Sequence, residues 1–477
     1  MRSGVVTWRV AGLLLAGVLL RLVFLHFRPP FAGDSLIYAD LATNLLHHHT
    51  YALTTDGVIT PTLIRLPGYT AFLALCFAMF GDGNFLAAVW VQIVVSLADA
   101  CLLGVLAYRL MGRRAGLAAL ALGMLCPFTA NYSVTALTET WSLFCITLAF
   151  LSAERWSVAL RQGREWNMWL LPMAGALIYA VFLRPDRSLL AVAVIPAMAW
   201  IAFREAGGSL IRRELPVAAV IVALLLPLGL WGVRNWRVFH VFQPLAPKYA
   251  NDPGEEVAYG FQRWYRTWAI DYESTVLVYW PYDGSTVDFN EVPARAFDDA
   301  GQRARTAELF AKYNEETGST PDVDAGFAEL ARERIAAHPL RFYVVMPLAR
   351  LADMWLHPRT ELMRMPLDWW KWREHPGKSL FSAMYALLNL AYLGLAIAGL
   401  RRWSRLGWSG ARALGYAMVA FVLLRSALLM TLDNSEQRYT LECFPVVLLL
   451  ASFALARSES VEEAPHPNGT RFGGWKG

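Results

Sequence analysis

Val10-Ala-Gly-Leu-Leu-Leu-Ala-Gly-Val-Leu-Leu-Arg-Leu-Val-Phe-Leu-His-Phe27 is followed, after Arg28-Pro-Pro, by Phe31-Ala-Gly-Asp-Ser-Leu-Ile-Tyr38. The first run suits a bilayer crossing, which takes about 20 apolar residues. The second places an acid, Asp34, within a few residues of the membrane surface. Beyond it come an amphipathic segment, Ser35 to Leu46, then Arg65-Leu-Pro-Gly-Tyr69 and the apolar Pro67–Phe80. Both segments read as helices lying in the interface, the second being short for a span.

Apolar runs of similar length recur along the chain. They cover Phe85–Leu110, Leu117–Tyr132, Glu139–Ala153, Met168–Leu183, Leu189–Phe203, Pro216–Val233, Leu380–Leu400, Leu414–Leu432 and Tyr439–Ala456. With Val10–Phe27 they make about ten spans. The chain is 56% hydrophobic and 17% charged, with mean hydropathy +0.36. A soluble domain is about 45–50% apolar and about 25% charged, so these values point to a multi-span membrane protein. The sequence therefore predicts an all-α polytopic bundle with interfacial helices.

Arg2 and Arg9 precede the first span. The clusters Arg109/Arg113/Arg114, Arg155/Arg161/Arg164, Arg204/Arg212/Arg213 and Arg401/Arg402/Arg405 then fall on the same side. Basic loops mark the cytoplasmic side, so both termini are expected there and Val10–Phe27 is expected to stay as a signal anchor. The net charge of +5 is read as topology and not as affinity for nucleic acid. Four parts follow: an N-terminal transmembrane module over 1–235 with the outer loop 28–84, an outer-side domain over 236–378, transmembrane helices over 379–456, and a disordered cytoplasmic tail over 457–477. The outer domain reads as mixed α/β, with a strand at Val276–Trp280 and helices over Pro293–Glu316 and Pro321–Ala337. Pro339–Leu356 carries Arg341, Arg350 and Asp353 and reads as interfacial. The tail sequon Asn468-Gly-Thr470 is expected to be inert on the cytoplasmic side.

On this topology Asp34, Arg65, Glu139, Arg184, Arg234, Arg438 and Tyr439 all reach the outer face. Asp34 is either an N-cap for the amphipathic helix or a general base at an apolar rim. The arginines touch lipid headgroups, or pair with Asp186, Glu436 or Glu442, or converge on a phosphate, which suits their fork of donors. Three charges fall inside spans, Arg21, Asp99 and Arg425. A pair of Asp99 with Arg425 or with Arg21 would relieve their cost, and substrate contact is the other reading. His47-His48-His49 cannot share one helix face, which argues against a metal site. The cysteines Cys76, Cys101, Cys126, Cys145 and Cys443 all lie in apolar runs, with no close-spaced metal pair among them. Gln262-Arg-Trp-Tyr-Arg-Thr-Trp268 is either a sugar or lipid-phosphate platform, or domain core with surface charges.

Gly33-Asp34-Ser35 with Tyr38, Arg65-Leu-Pro-Gly-Tyr69, Leu137-Thr-Glu139, Leu183-Arg-Pro185, Arg234-Asn235 and Glu436-Gln-Arg-Tyr439 together resemble the GT-C membrane glycosyltransferases. The likeness is to the family 39-like branch, related to protein mannosyltransferases and the aminoarabinose transferase of lipid A. It implies a metal-independent, cofactor-free transferase of the bacterial inner membrane, with a sugar on a polyprenyl phosphate as donor. It maps the catalytic base to Asp34 and leaves Arg65, Glu139, Arg184, Arg234, Arg438 and Tyr439 as substrate-binding candidates. Membrane lipids and an acceptor outside the cytoplasm would be the other partners. Ser35 stands where the mannosyltransferases often carry Glu, which points away from a protein acceptor. A flippase for a lipid-linked glycan and a surface-polysaccharide polymerase or ligase are the rival readings.

Overall fold

The computed structural model describes residues 2–204, 209–282, 284–316 and 318–456; the expected tail, 457–477, lies outside them. The chain is a helical multi-pass membrane protein. Among the described residues seven helices are long and apolar enough to cross a membrane, and Pro67–Phe80, Leu170–Leu183 and Phe444–Leu455 are shorter apolar helices.

The first segment is α1 (Arg2–Phe27), followed by α2 (Asp34–His48), a hairpin of β1 (Ala52–Thr55) and β2 (Val58–Pro61), and α3 (Pro67–Phe80). The hairpin is antiparallel, with Thr55 opposite Val58 and Ala52 opposite Pro61. Asp56 and Gly57 turn it with φ of 50° and 78°, the twist that two-residue loops favour. Asp40 and Asn44 on α2 bond Thr54 N (2.7 Å) and Ala52 O (3.0 Å), so the hairpin lies against the helix.

The two spans expected at Phe85–Leu110 and Leu117–Tyr132 form one element, α4 (Phe85–Leu125), broken at Gly112 by φ 82° and ψ −174°. Its arms fold back on each other: a Cβ on Gly116 would lie 2.7 Å from Tyr108 Cβ, and one on Gly123 would lie 2.9 Å from Ala100 Cβ. The second arm stops at Leu125, short of the expected Tyr132. Pro127 cannot donate to the ladder, and a separate helix, α5 (Pro127–Tyr132), begins there.

The bundle continues through α6 (Glu139–Arg161), α7 (Leu170–Leu183), α8 (Ser188–Arg204) and α9 (Leu210–Phe239). One end of it gathers arginines. Arg109 bonds Glu154 at 2.5 and 3.0 Å, and Arg161 reaches Gly410 O at 3.1 Å. The opposite end carries α2, the hairpin and the head of α6.

The section 236–378 holds α10 (Tyr259–Tyr265), α11 (Ala300–Glu316), α12 (Pro321–Ala337) and α13 (Met346–Leu356). Its expected mixed α/β character is corrected: its described residues contain no strand, and Thr275–Tyr279 is a π-helical turn. The side chain of Asp271 accepts from Ser274 N at 2.9 Å and starts a helix there, and Val278 is buried among helical aromatics. An extended Val276–Trp280 would have no partner strand for its backbone groups. The chain closes with α14 (Pro376–Arg405), α15 (Arg412–Leu429), α16 (Arg438–Leu441) and α17 (Phe444–Leu455). Helices α14 and α17 pack so closely that a Cβ on Gly399 would overlap Leu450 O.

Candidate active site

Gly33 takes φ 54° and ψ −127° ahead of α2, a conformation that suits glycine. Gly33 occupies the N-cap position, and Asp34 is the first helical residue. Its Oδ1 accepts from Arg65 Nη2 at 2.9 Å and its Oδ2 from Arg438 Nη1 at 3.1 Å. The N-cap reading is thereby corrected: Gly33 holds the cap position, and the Asp34 carboxylate is engaged by two guanidiniums in charge-assisted bonds, the stronger kind. The side chain stays 23% exposed.

Burial alone would raise the Asp34 carboxyl, but Arg438, Arg65 and Arg184 together outweigh it and hold the group well below the ordinary carboxylate range. For Arg438, burial is outweighed by Glu436, Tyr439 and Asp34, so the guanidinium is held charged.

Each site residue is held by a different element. Arg65 precedes α3, and its carbonyl accepts from Tyr51 Oη at 3.2 Å. Arg438 opens α16 and pairs with Glu436, Nε lying 2.6 Å from Oε2 and Nη2 donating to Oε1 at 3.4 Å. Glu436 also accepts from Tyr439 Oη (2.5 Å) and Asn434 Nδ2 (2.9 Å). Arg184 follows α7, bonds Asp186 at 3.2 Å and lies 5.3 Å from the Tyr439 ring. Glu139, at the head of α6, is buried; its Oε2 has no hydrogen-bond partner, and the charges of Arg438, Arg187 and Arg184 all act on it.

Below this layer lies a second, closed one. Arg425 contacts Asp186 at 3.1 Å and Glu442 at 2.9 Å, and its Nε donates to Tyr439 O at 2.8 Å. Arg187 contacts Glu442 at 2.5 Å and donates to Thr138 Oγ1 at 2.9 Å. The sequence offered Arg425 as a partner for Asp99 or as a substrate contact, and the pairing with Asp99 is corrected. Arg425 sits near the C-terminal end of α15, in contact with Asp186 and Glu442. Arg21 instead bonds Ser96 Oγ (2.8 Å), Gly17 O and Met124 O, and Asp99 Oδ1 has no hydrogen-bond partner.

Of the expected substrate residues, Arg234 stands apart from Asp34. It donates to Thr62 O and Tyr51 O, each at 2.9 Å, and so clamps the ends of the hairpin. In Gln262–Trp268 the aromatics Trp264, Tyr265 and Trp268 are buried core, which overturns their use as a platform. His47 pairs with Asp82 at 2.7 Å, and no group of three metal-ligating side chains occurs among the described residues. The five cysteines are free thiols, four of them buried.

The chain is similar to the crystal structure of ArnT from Cupriavidus metallidurans bound to undecaprenyl phosphate. The identity is 16% and the TM-score 0.38, over 90% of this chain and 77% of that one. It is similar also to the apo state of the same protein, at 15% identity and a TM-score of 0.37, over 94% of this chain and 78% of that one. No protein-family model and no curated protein matches the chain. At such TM-scores the likeness assigns no residue roles.

Proposed function

We propose that the chain is a membrane glycosyltransferase of the GT-C type. It moves one sugar from a polyprenyl-phosphate donor to the hydroxyl of an acceptor outside the cytoplasm. The observation that carries the reading is the sharing of Asp34 between Arg65 and Arg438, with Arg184 within electrostatic reach. An acid and three cations at one end of an apolar bundle suit a reactant with an anionic head and a hydrocarbon tail.

In the step proposed, the acceptor oxygen attacks C1 of the sugar as the C1–O bond to phosphate breaks. The bonding pair leaves on the phosphate oxygen, polyprenyl phosphate departs, and Asp34 takes the acceptor proton. Attack opposite the leaving group inverts the anomeric centre. The departing phosphate needs neutralising and no proton, and fixed guanidiniums supply that without reorganising.

A carboxylate held between two arginines is a weak base, and an effective one has a pKa nearer the working pH. A donor phosphate competes for the same guanidiniums. When it draws Arg65 or Arg438 away, Asp34 loses a stabilising charge and becomes more basic. Donor binding thus arms the base. Arg184 and Tyr439 flank the phosphate in this reading, and Glu139 reads the sugar. Arg234 serves by holding the hairpin. The basic end of the bundle faces the cytoplasm of a bacterial inner membrane, with both termini on that side.

The test is release of polyprenyl phosphate by the reconstituted protein from a panel of polyprenyl-phosphate sugars. The proposal expects release from at least one donor, matched by sugar on an acceptor. Passage of intact donor across the bilayer without release would replace this reading with the flippase.

A further inference from the structure

A second recess lies where α10, the turn Arg341–Val345 and the outer end of α15 meet. It measures about 630 Å³ and is lined by two guanidiniums, Arg263 and Arg266, and by no carboxylate. That volume falls within the usual range for a bound small molecule. Arg266 is partly neutralised, with Nε 3.3 Å from Asp433 and its guanidinium 5.5 Å from the Phe342 ring. Asp433 also faces Lys248 at 3.2 Å, so one acid serves two cations. Arg263 lines the recess and makes no ion pair among the described residues. Gln262, also in the lining, buries an Oε1 that has no hydrogen-bond partner.

The other wall is apolar, with Phe342, Tyr343 and Met430. It continues into an exposed face on which Leu340, Val345 and Leu348 are all half open or more. A cationic head region bordering an exposed apolar face matches an amphiphile lying in the interface. Free phosphate would use the arginines and leave the apolar wall without a role.

We infer that this recess binds the headgroup of an anionic lipid, a phosphodiester with acyl chains along the Leu340–Leu348 face, at a site separate from Asp34. The loop from Asp433 to Arg438 stands between the two sites. Asp433 contacts Arg266 on one side and Arg438 contacts Asp34 on the other, so a lipid drawing Arg266 from Asp433 acts on the loop that carries Arg438. The inference does not depend on the transferase reading, and its readout is binding alone.

The test is native mass spectrometry of the full chain, delipidated in detergent and titrated with dioctanoyl phosphatidylglycerol, dioctanoyl phosphatidylcholine or inorganic phosphate. The expected result is one saturable phosphatidylglycerol that phosphatidylcholine does not displace. Arg263→Gln should weaken it about tenfold, as loss of a hydrogen bond to a charged group does. Arg332→Gln, an equal loss of charge at an exposed position of α12, should leave binding unchanged. Equal binding of phosphatidylcholine, wild-type affinity in Arg263→Gln, or full competition by inorganic phosphate at matched concentration would each overturn the lipid assignment.

Discussion

Arg425 is fully buried, and its removal is the severest test of the layer beneath Asp34. Arg425→Met keeps most of the volume and deletes the charge. Removing one partner of a buried pair typically costs about 3–5 kcal/mol, because the remaining charge is stranded. Here each stranded acid keeps another cation: Glu442 keeps Arg187 at 2.5 Å and Asp186 keeps Arg184 at 3.2 Å. The cost therefore belongs at the lower end, about 3 kcal/mol. In a chain of this size that lowers the melting temperature by about 3 °C. A melt in detergent, followed by tryptophan fluorescence, reads the shift directly. The substitution also removes the bond from Nε to Tyr439 O, so the turn bearing Arg438 loosens as well. In the double variant Arg425→Met/Glu442→Gln the costs should fall short of additive by about 1 kcal/mol or more, as for residues in one ion network. A single variant that melts with the wild type, or strictly additive costs, would refute the network.

Three further outcomes follow from the same contacts. The Asp34 carboxyl is more acidic in the folded protein than in the unfolded chain, so its contribution to stability is fully present above the unfolded value of about 4 and fades as pH falls below it. Melts of wild type and Asp34→Asn should therefore differ near neutrality and converge on acidification; a constant gap would contradict the ion pairs. Gly116→Val pushes a branched side chain into Tyr108 and Gly104 O across the α4 hairpin and should cost about 1–3 kcal/mol, visible as loss of the monodisperse peak in size exclusion. A wild-type profile would mean that the arms are not in contact. Arg234→Ala frees both ends of the hairpin and should speed limited proteolysis near Asp56-Gly57; unchanged cleavage would return Arg234 to the list of direct substrate ligands.

The spans were legible because their signal is local: an apolar run of bilayer length needs no partner to be recognised. Pro67–Phe80 and Pro321–Ala337 were found to the residue, each with a proline opening its first turn. The hairpin at 52–61 went unread although Asp56-Gly57 between Thr55 and Val58 is a turn signal, since four-residue strands give little alternation. Val276–Trp280 misled for the opposite reason. Its β-branched and aromatic residues suit a strand, but burial among α10, α11 and α12 decided the outcome.

At the site, the sequence placed Asp34, Arg65, Arg184 and Arg438 on one face. It could not choose among partners 31 and 404 residues apart. The deeper Asp186–Arg425–Glu442–Arg187 layer was hidden because Arg425 and Asp99 are both charges within apolar runs, and only the depth at which each lies separates them. Arg234 shows the limit of reasoning by charge: an arginine expected at the substrate can instead hold the ends of a hairpin through their carbonyls.

In the proposed reaction Asp34 takes the acceptor's proton. Asp34→Asn keeps the size and the hydrogen-bonding reach and removes the base. The measurement is transfer of labelled sugar from polyprenyl-phosphate donors in membranes holding equal amounts of each protein. Loss of transfer in the variant, with donor still bound, is the predicted result. Transfer at the wild-type rate would contradict it and leave Asp34 as a counter-ion for Arg65 and Arg438.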